Sequence, residues 1–196
     1  MNLPNKITLV RVFLIPAFLF VYLAQPLYYV SVLANMWLAL ALFSIAAITD
    51  AIDGYLARRL KLVTNFGKLM DPLADKLLVC SALVAFVANG ILPAWAVIIL
   101  ISREFYITGL RQLAVEQNIV MAASAGGKVK TTVQITLIVY ILLPLRFFVF
   151  DSVIFALMII AVVVSVWTAV DYTLKNIAIF SPASEDVSED VKNKKD

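Results

Sequence analysis

Residues 50–76 read DAIDGYLARRLKLVTNFGKLMDPLADK. The stretch gathers four carboxylates, Asp50, Asp53, Asp71 and Asp75, in a chain that is 63% hydrophobic and has 13 acidic residues in all. At 100° per residue, Asp50, Asp53, Gly54 and Ala57 fall on one narrow face of a helix. Asp71 and Asp75 stand i, i+4 on a second helix and also share a face. Residues 61–70 are expected to hold the turn, so the two helices are antiparallel neighbours whose acidic faces can meet. Four carboxylates converging in apolar surroundings cannot all stay ionised without compensation. A divalent cation supplies it. With no histidine and one cysteine, Cys80, zinc sites of the usual kind are excluded. An oxygen-only ligand set favours Mg²⁺, with Mn²⁺ or Ca²⁺ admissible.

Composition sets the surroundings of this cluster. The 196 residues have a mean hydropathy of +0.96, and 15% are charged, against about a quarter in soluble domains. Long apolar runs point to an all-α integral membrane protein with six transmembrane helices. The expected spans are roughly 7–29, 31–60, 67–88, 91–116, 127–143 and 147–176. Residues 1–180 form one catalytic domain on this reading, and 181–196 form a polar, mobile tail. Pro72 is expected in the first turn of the third span, where its missing N–H costs little. Asn89-Gly90 and Pro93 punctuate the turn that follows. Lys6 and Arg11 precede an apolar run too long for a signal peptide, so this run is expected to be a retained span.

The distribution of Lys and Arg fixes the orientation. Of 16 such residues, only Arg146 falls on the side opposite the two termini. By the positive-inside rule both termini are cytoplasmic. The aspartates lie on that same side, where the second and third spans meet. The net charge of +3 is modest and speaks to topology, so no nucleic-acid partner is expected.

Mg²⁺ held by a few carboxylates completes its shell with substrate phosphates and water. Gly54 and Ala57 let a ligand approach the backbone on the acidic face, and Arg58 suits a phosphate oxygen. The implied chemistry is phosphoryl transfer on a membrane-anchored pyrophosphate, with one aspartate taking a proton from the attacking hydroxyl.

The spacing D-x-x-D-G-x-x-A-R, eight residues, then G-x-x-x-D-x-x-x-D resembles the signature of the CDP-alcohol phosphatidyltransferases. It matches at Asp50, Asp53, Gly54, Ala57, Arg58, Gly67, Asp71 and Asp75. The resemblance implies a six-helix membrane enzyme, usually a homodimer, in the bacterial plasma membrane with its active site facing the cytoplasm. It implies metal binding by Asp50, Asp53 and Asp71, with Asp75 sharing that role and acting as general base. Two Mg²⁺ ions are the expected cofactor, with Mn²⁺ as a substitute. Gly54, Ala57, Arg58, Thr64 and Gly67 are the implied CDP-diacylglycerol contacts, with Asp50. Asn5, Thr8 and Arg11, on one side of the first span, belong to a segment that approaches the same site in the family.

Four further stretches, MNLPNKITLVRVFLIP, ISREFYITGLR, GKVKT and DYTLKN, are similar to the phosphatidylglycerophosphate synthase branch of that family. This implies transfer of a phosphatidyl group from CDP-diacylglycerol to glycerol 3-phosphate, with release of CMP. A phosphorylated acceptor needs positive charge near the metal. Arg103, Thr108 and Arg111 fall within an arc of about 140° on the fourth span. Lys128 and Thr131 are i, i+3 on the fifth, with Lys130 between them. These six are the candidate acceptor-phosphate ligands, and Glu104 is placed to fix a neighbouring arginine. Asp171 and Lys175, at i, i+4, are expected to pair with each other. Rival readings are a cardiolipin synthase using phosphatidylglycerol, an inositol or serine transferase, and, from another class, a cation transporter.

Overall fold

A computed structural model describes the backbone of residues 3–23, 32–60, 65–116, 125–144 and 150–177, and the side chains of 10–23, 32–49, 76–115, 126–144 and 151–177. Among the described residues all regular structure is helical. The helices are α1 (Leu3–Leu23), α2 (Val32–Leu60), α3 (Asn65–Ala88), α4 (Ala94–Glu116), α5 (Ala125–Leu142) and α6 (Phe150–Lys175). They correspond one for one to the expected spans. The 181–196 tail lies outside the described residues.

Two helix starts differ from expectation. α1 already covers Leu3, ahead of the expected residue 7, and is described as far as Leu23. α2 runs to Leu60 and α3 already begins at Asn65, so the turn is shorter than residues 61–70. Pro72 therefore lies inside α3 and not in its first turn. An interior proline removes one backbone hydrogen bond, which helices in apolar bundles tolerate when neighbours satisfy the freed carbonyl. The α3–α4 turn follows the sequence reading. Gly90 takes φ +69°, and Ile91 N–H donates to Phe86 O at 2.9 Å while Gly90 N–H donates to Val87 O at 2.9 Å. That left-handed cap closes α3, and glycine adopts it without a Cβ penalty.

Short connections make successive helices antiparallel. The N-termini of α1, α3 and α5 and the C-termini of α2, α4 and α6 thus gather at one end. α1 packs on α2 and α3, α4 on α3 and α6, and α5 on α6. The core is apolar and aromatic at its centre. Phe18 of α1 lies 5.8 Å from Phe43 of α2, and Tyr22 meets Phe86 of α3 edge-on at 5.3 Å. Ala39 and Ala46 flank Phe43 on the buried face of α2, and Ala82 is buried on α3. Such small residues let backbones approach closely.

The outside of the bundle is apolar as well. Phe13, Trp37, Val84, Phe105, Val129 and Trp167, one from each helix, are between 49% and 68% exposed. Exposed large apolar side chains on all six helices suit a bundle whose outer surface meets hydrocarbon. Six membrane spans were expected from the sequence. Among the described residues two helical stretches, Val32–Thr49 and Asp151–Lys175, are long and apolar enough to cross a membrane, and Val10–Leu23 and Lys76–Ala88 are shorter apolar stretches.

Phe86 is fully buried and holds the Tyr22 contact. Phe86→Ala is expected to lower stability by about 3–5 kcal/mol, read as a fall in the unfolding midpoint of the detergent-solubilised protein.

Candidate active site

Polar side chains from four helices meet at the end of the bundle where α3 and α5 begin. They line an open cavity of about 470 Å³ bounded by Lys76 of α3, Arg103, Glu104, Thr108 and Arg111 of α4, Gly127, Lys128, Thr131 and Thr132 of α5, and Tyr172 of α6. Four of these side chains are cationic and one is a carboxylate. The site is therefore built for an anion.

Arg103, Arg111 and Lys76 are each held by a neighbour. Arg103 Nη1 donates to Glu104 Oε1 at 3.1 Å, and Nη2 donates to Thr168 Oγ1 of α6 at 3.1 Å. Thr168 itself is buried, and its hydroxyl donates back to Ser165 O at 3.0 Å. Arg111 Nε donates to the Tyr172 hydroxyl at 3.1 Å, and its guanidinium carbon stands 5.7 Å from that ring's centroid. Lys76 donates to Thr108 Oγ1, whose hydroxyl donates to Glu104 O at 2.6 Å. Thr131 and Thr132 donate to carbonyls one turn back, at Gly127 and Lys128. That leaves their remaining lone pairs for other partners.

Of the six residues expected to hold the acceptor phosphate, five line this cavity: Arg103, Thr108, Arg111, Lys128 and Thr131. Lys130 does not. It is 5% exposed, and its ammonium donates to Glu104 Oε1 inside the bundle. Successive residues on a helix point about 100° apart, so Lys130 cannot face the way Lys128 and Thr131 do. Glu104 indeed fixes Arg103, and it holds Lys130 as well. Lys175 and Asp171 pair at 2.8 Å. The sequence reading missed Lys76 and Tyr172 as cavity residues. Lys76 had been counted only as a topology signal, and Tyr172 sits in the quoted DYTLKN stretch without a charge to mark it.

The aspartate motif is placed by backbone alone. Asp50, Asp53, Gly54, Ala57 and Arg58 lie in continuous helix near the end of α2, and Gly67, Asp71 and Asp75 lie in α3. Their side chains, those of Asn5 and Thr8, and the whole of Thr64 lie outside the described residues. Among the described residues no group of three or more His, Cys, Asp or Glu stands together. Arg11, expected at the nucleotide site, is fully buried on α1, which packs against both α2 and α3. Asp75 immediately precedes Lys76, so the acidic motif runs directly into the cavity wall.

A family model described as CDP-alcohol phosphatidyltransferase matches residues 1–167. The chain belongs to the CDP-alcohol phosphatidyltransferases. It is 49% identical over 148 residues to the CDP-diacylglycerol–glycerol-3-phosphate 3-phosphatidyltransferase of Bacillus subtilis (strain 168), covering 72% of this chain and 77% of that protein. It is 38% identical over 174 residues to a probable phosphatidylglycerophosphate synthase of Mycobacterium tuberculosis (strain CDC 1551 / Oshkosh), covering 89% of this chain and 81% of that protein. It is 38% identical over 133 residues to a CDP-diacylglycerol–glycerol-3-phosphate 3-phosphatidyltransferase of Rickettsia bellii, covering 68% of this chain and 70% of that protein.

For a CDP-alcohol phosphatidyltransferase the donor set suits a hard cation. Two helices that pack together each carry two aspartates at helical spacing in the motif, with no histidine or cysteine among its residues.

Gly126 ties this site to the packing. A Cβ there would stand 2.9 Å from Thr168 Cγ2, and Thr168 is buried, branched and bonded to Arg103. Gly126→Ala is expected to push α5 from α6 and displace Arg103. The checks are a lower unfolding midpoint and weaker binding of an anionic acceptor, seen as a raised KM.

Proposed function

We propose that this protein transfers the phosphatidyl group of CDP-diacylglycerol to sn-glycerol 3-phosphate, giving phosphatidylglycerophosphate and CMP. The observation that carries the acceptor choice is the cavity with four cationic side chains, which begins one residue beyond Asp75. The relatives named for the same transfer support it. An inositol acceptor brings no anion to that cationic cavity, and serine brings a carboxylate but no phosphate. Phosphatidylglycerol carries a phosphate too, and competition between the two acceptors separates that case. Family membership sets aside the cation transporter.

The six helices are read as six membrane crossings, with both termini and the cavity on the cytoplasmic side. CDP-diacylglycerol enters from the bilayer and leaves its acyl chains in lipid. One or two Mg²⁺ ions held by Asp50, Asp53, Asp71 and Asp75 would neutralise the pyrophosphate charge and assist CMP departure. Arg58 takes a phosphate oxygen, while Gly54 and Ala57 admit the nucleotide close to α2. Asn5, Thr8, Arg11, Thr64 and Gly67 complete the donor site on this reading. Glycerol 3-phosphate comes from the cytoplasm, and Arg103, Arg111, Lys128 and Lys76 bind its phosphate, with Thr131 beside them. This fixes the primary hydroxyl relative to α3.

Asp75 takes the proton from that hydroxyl. Its oxygen attacks the phosphorus bearing the diacylglycerol, and the bond from that phosphorus to the CMP oxygen breaks. No Ser, Cys or His accompanies the motif, so the displacement is direct, without a covalent enzyme intermediate. The protein is read as a homodimer, following its family.

A CMP-release assay in detergent–lipid micelles tests the assignment. Release should require glycerol 3-phosphate and stop on chelation. Asp75→Asn should cut kcat by about 10²-fold or more. Arg103→Ala should raise the KM for glycerol 3-phosphate roughly 10- to 100-fold, the worth of a charged hydrogen bond, with a smaller change in kcat. Release that ignores glycerol 3-phosphate but follows another alcohol would overturn the acceptor assignment.

A further inference from the structure

Lys130 is a buried cation that the proposed reaction does not touch. It is the more noticeable because α5 carries Lys128 two residues earlier, exposed and at the cavity. Burying an ammonium in an apolar bundle is costly unless it is paired. Its partner is Glu104 Oε1, the same oxygen that accepts from Arg103 Nη1. One carboxylate oxygen is therefore shared by two cations, and only one of them, Arg103, lines the cavity.

The charges can be followed through the cluster. Glu104 orients Arg103, together with Thr168 on the far side of the guanidinium. Left alone with Arg103, that carboxylate would also cancel the charge it orients. The side-chain exposures are 5% for Lys130, 16% for Glu104 and 11% for Arg103, so water does little to screen the three. Lys130 supplies the second positive charge. The trio then has a net charge of +1 rather than zero, and Arg103 is its cationic member at the anion site.

We propose that Lys130 is a positioning residue for the acceptor step: it is the counter-charge that offsets Glu104 and leaves Arg103 effectively cationic toward the acceptor's phosphate. Lys130 does this without touching the acceptor, in contrast to the direct ligand role that its sequence position suggests. The acceptor part of this inference rests on the proposed function. The electrostatic part concerns any phosphate bound in the cavity.

The test uses the full-length protein in micelles at fixed ionic strength, with the variants Lys130→Met, Lys130→Arg and the double variant Glu104→Gln/Lys130→Met. Lys130→Met should raise the KM for glycerol 3-phosphate about tenfold, the order expected for one unit charge acting through a medium of effective ε about 20. Its kcat should change much less. Lys130→Arg should keep the wild-type KM to within a few-fold. The double variant removes one charge of each sign and keeps an amide oxygen for Arg103, so it should regain most of the lost affinity. A double variant as impaired as Lys130→Met would overturn the proposal, because a direct ligand or a merely structural lysine gives that result.

A second readout does not depend on turnover. Inorganic phosphate should protect Arg103 from phenylglyoxal, followed by mass spectrometry of its peptide. Lys130→Met should need about tenfold more phosphate for the same protection, and the double variant should return toward wild type. Absence of protection in the wild type, or protection indifferent to Lys130, would overturn the proposal. If phosphate protects in this pattern while glycerol 3-phosphate is not consumed, the acceptor assignment fails and the role of Lys130 stands. Unfolding midpoints of all variants, together with Lys130→Arg, separate loss of folding from loss of charge.

Discussion

Charge compensation in an apolar bundle is the constraint on which this structure depends. Ion pairs buried in apolar surroundings are tolerated when each member is partnered, and removing one partner leaves the other stranded. Arg103, Glu104, Lys130 and Thr168 meet that condition across α4, α5 and α6. Arg111 with Tyr172, and Lys76 with Thr108, extend the same logic to α6 and α3. These contacts do two things at once. They tie four helices together at one end, and they aim cationic groups at a common space. The rest of the bundle, from Phe18 to Phe86, is apolar packing that sets the spacing of that end.

The division of labour along each helix follows. The outer surface is apolar where hydrocarbon would meet it, as Phe13, Phe105 and Trp167 illustrate. The buried faces carry small residues where backbones cross, and Gly126 is the extreme case because no Cβ fits against Thr168. Among the described residues, the charged side chains other than Asp151 lie toward the end where α3 and α5 start. A membrane enzyme acting on a lipid nucleotide and a water-soluble phosphate needs this arrangement. On the proposed reading the lipid tails stay in the bilayer while the reacting groups meet at its edge.

Much of this was legible in the residues. The six helices follow from apolar runs and from punctuation such as Asn89-Gly90, whose left-handed glycine the structure contains. The acceptor candidates Arg103, Thr108, Arg111, Lys128 and Thr131 were picked from stretches similar to the family and from helical spacing, and the structure brings these five to one cavity. That Lys130 lies off this cavity was not legible, because spacing on one helix says which way a side chain points only relative to its neighbours. It does not say which helix lies opposite, and here the one opposite presents Glu104. Lys76 was overlooked for the converse reason, since its partner Thr108 is distant in sequence. Pro72 misled because proline at the start of a helix is the common case, and α3 begins before it. The aspartate motif was the clearest signal in the sequence; its residues lie in helical backbone, and their side chains fall outside the described residues.

The central claim is that the acidic ends of α2 and α3 and the cationic cavity act on one bound pair of substrates. The most direct measurement is the ³¹P relaxation of glycerol 3-phosphate in the presence of the protein, a non-reactive CDP-diacylglycerol analogue and Mn²⁺ in place of Mg²⁺. The account predicts a strong paramagnetic enhancement at the acceptor phosphorus that disappears in Asp71→Asn and in Arg103→Ala. An enhancement no larger than that of free Mn²⁺ in solution, or one that survives both substitutions, would contradict it.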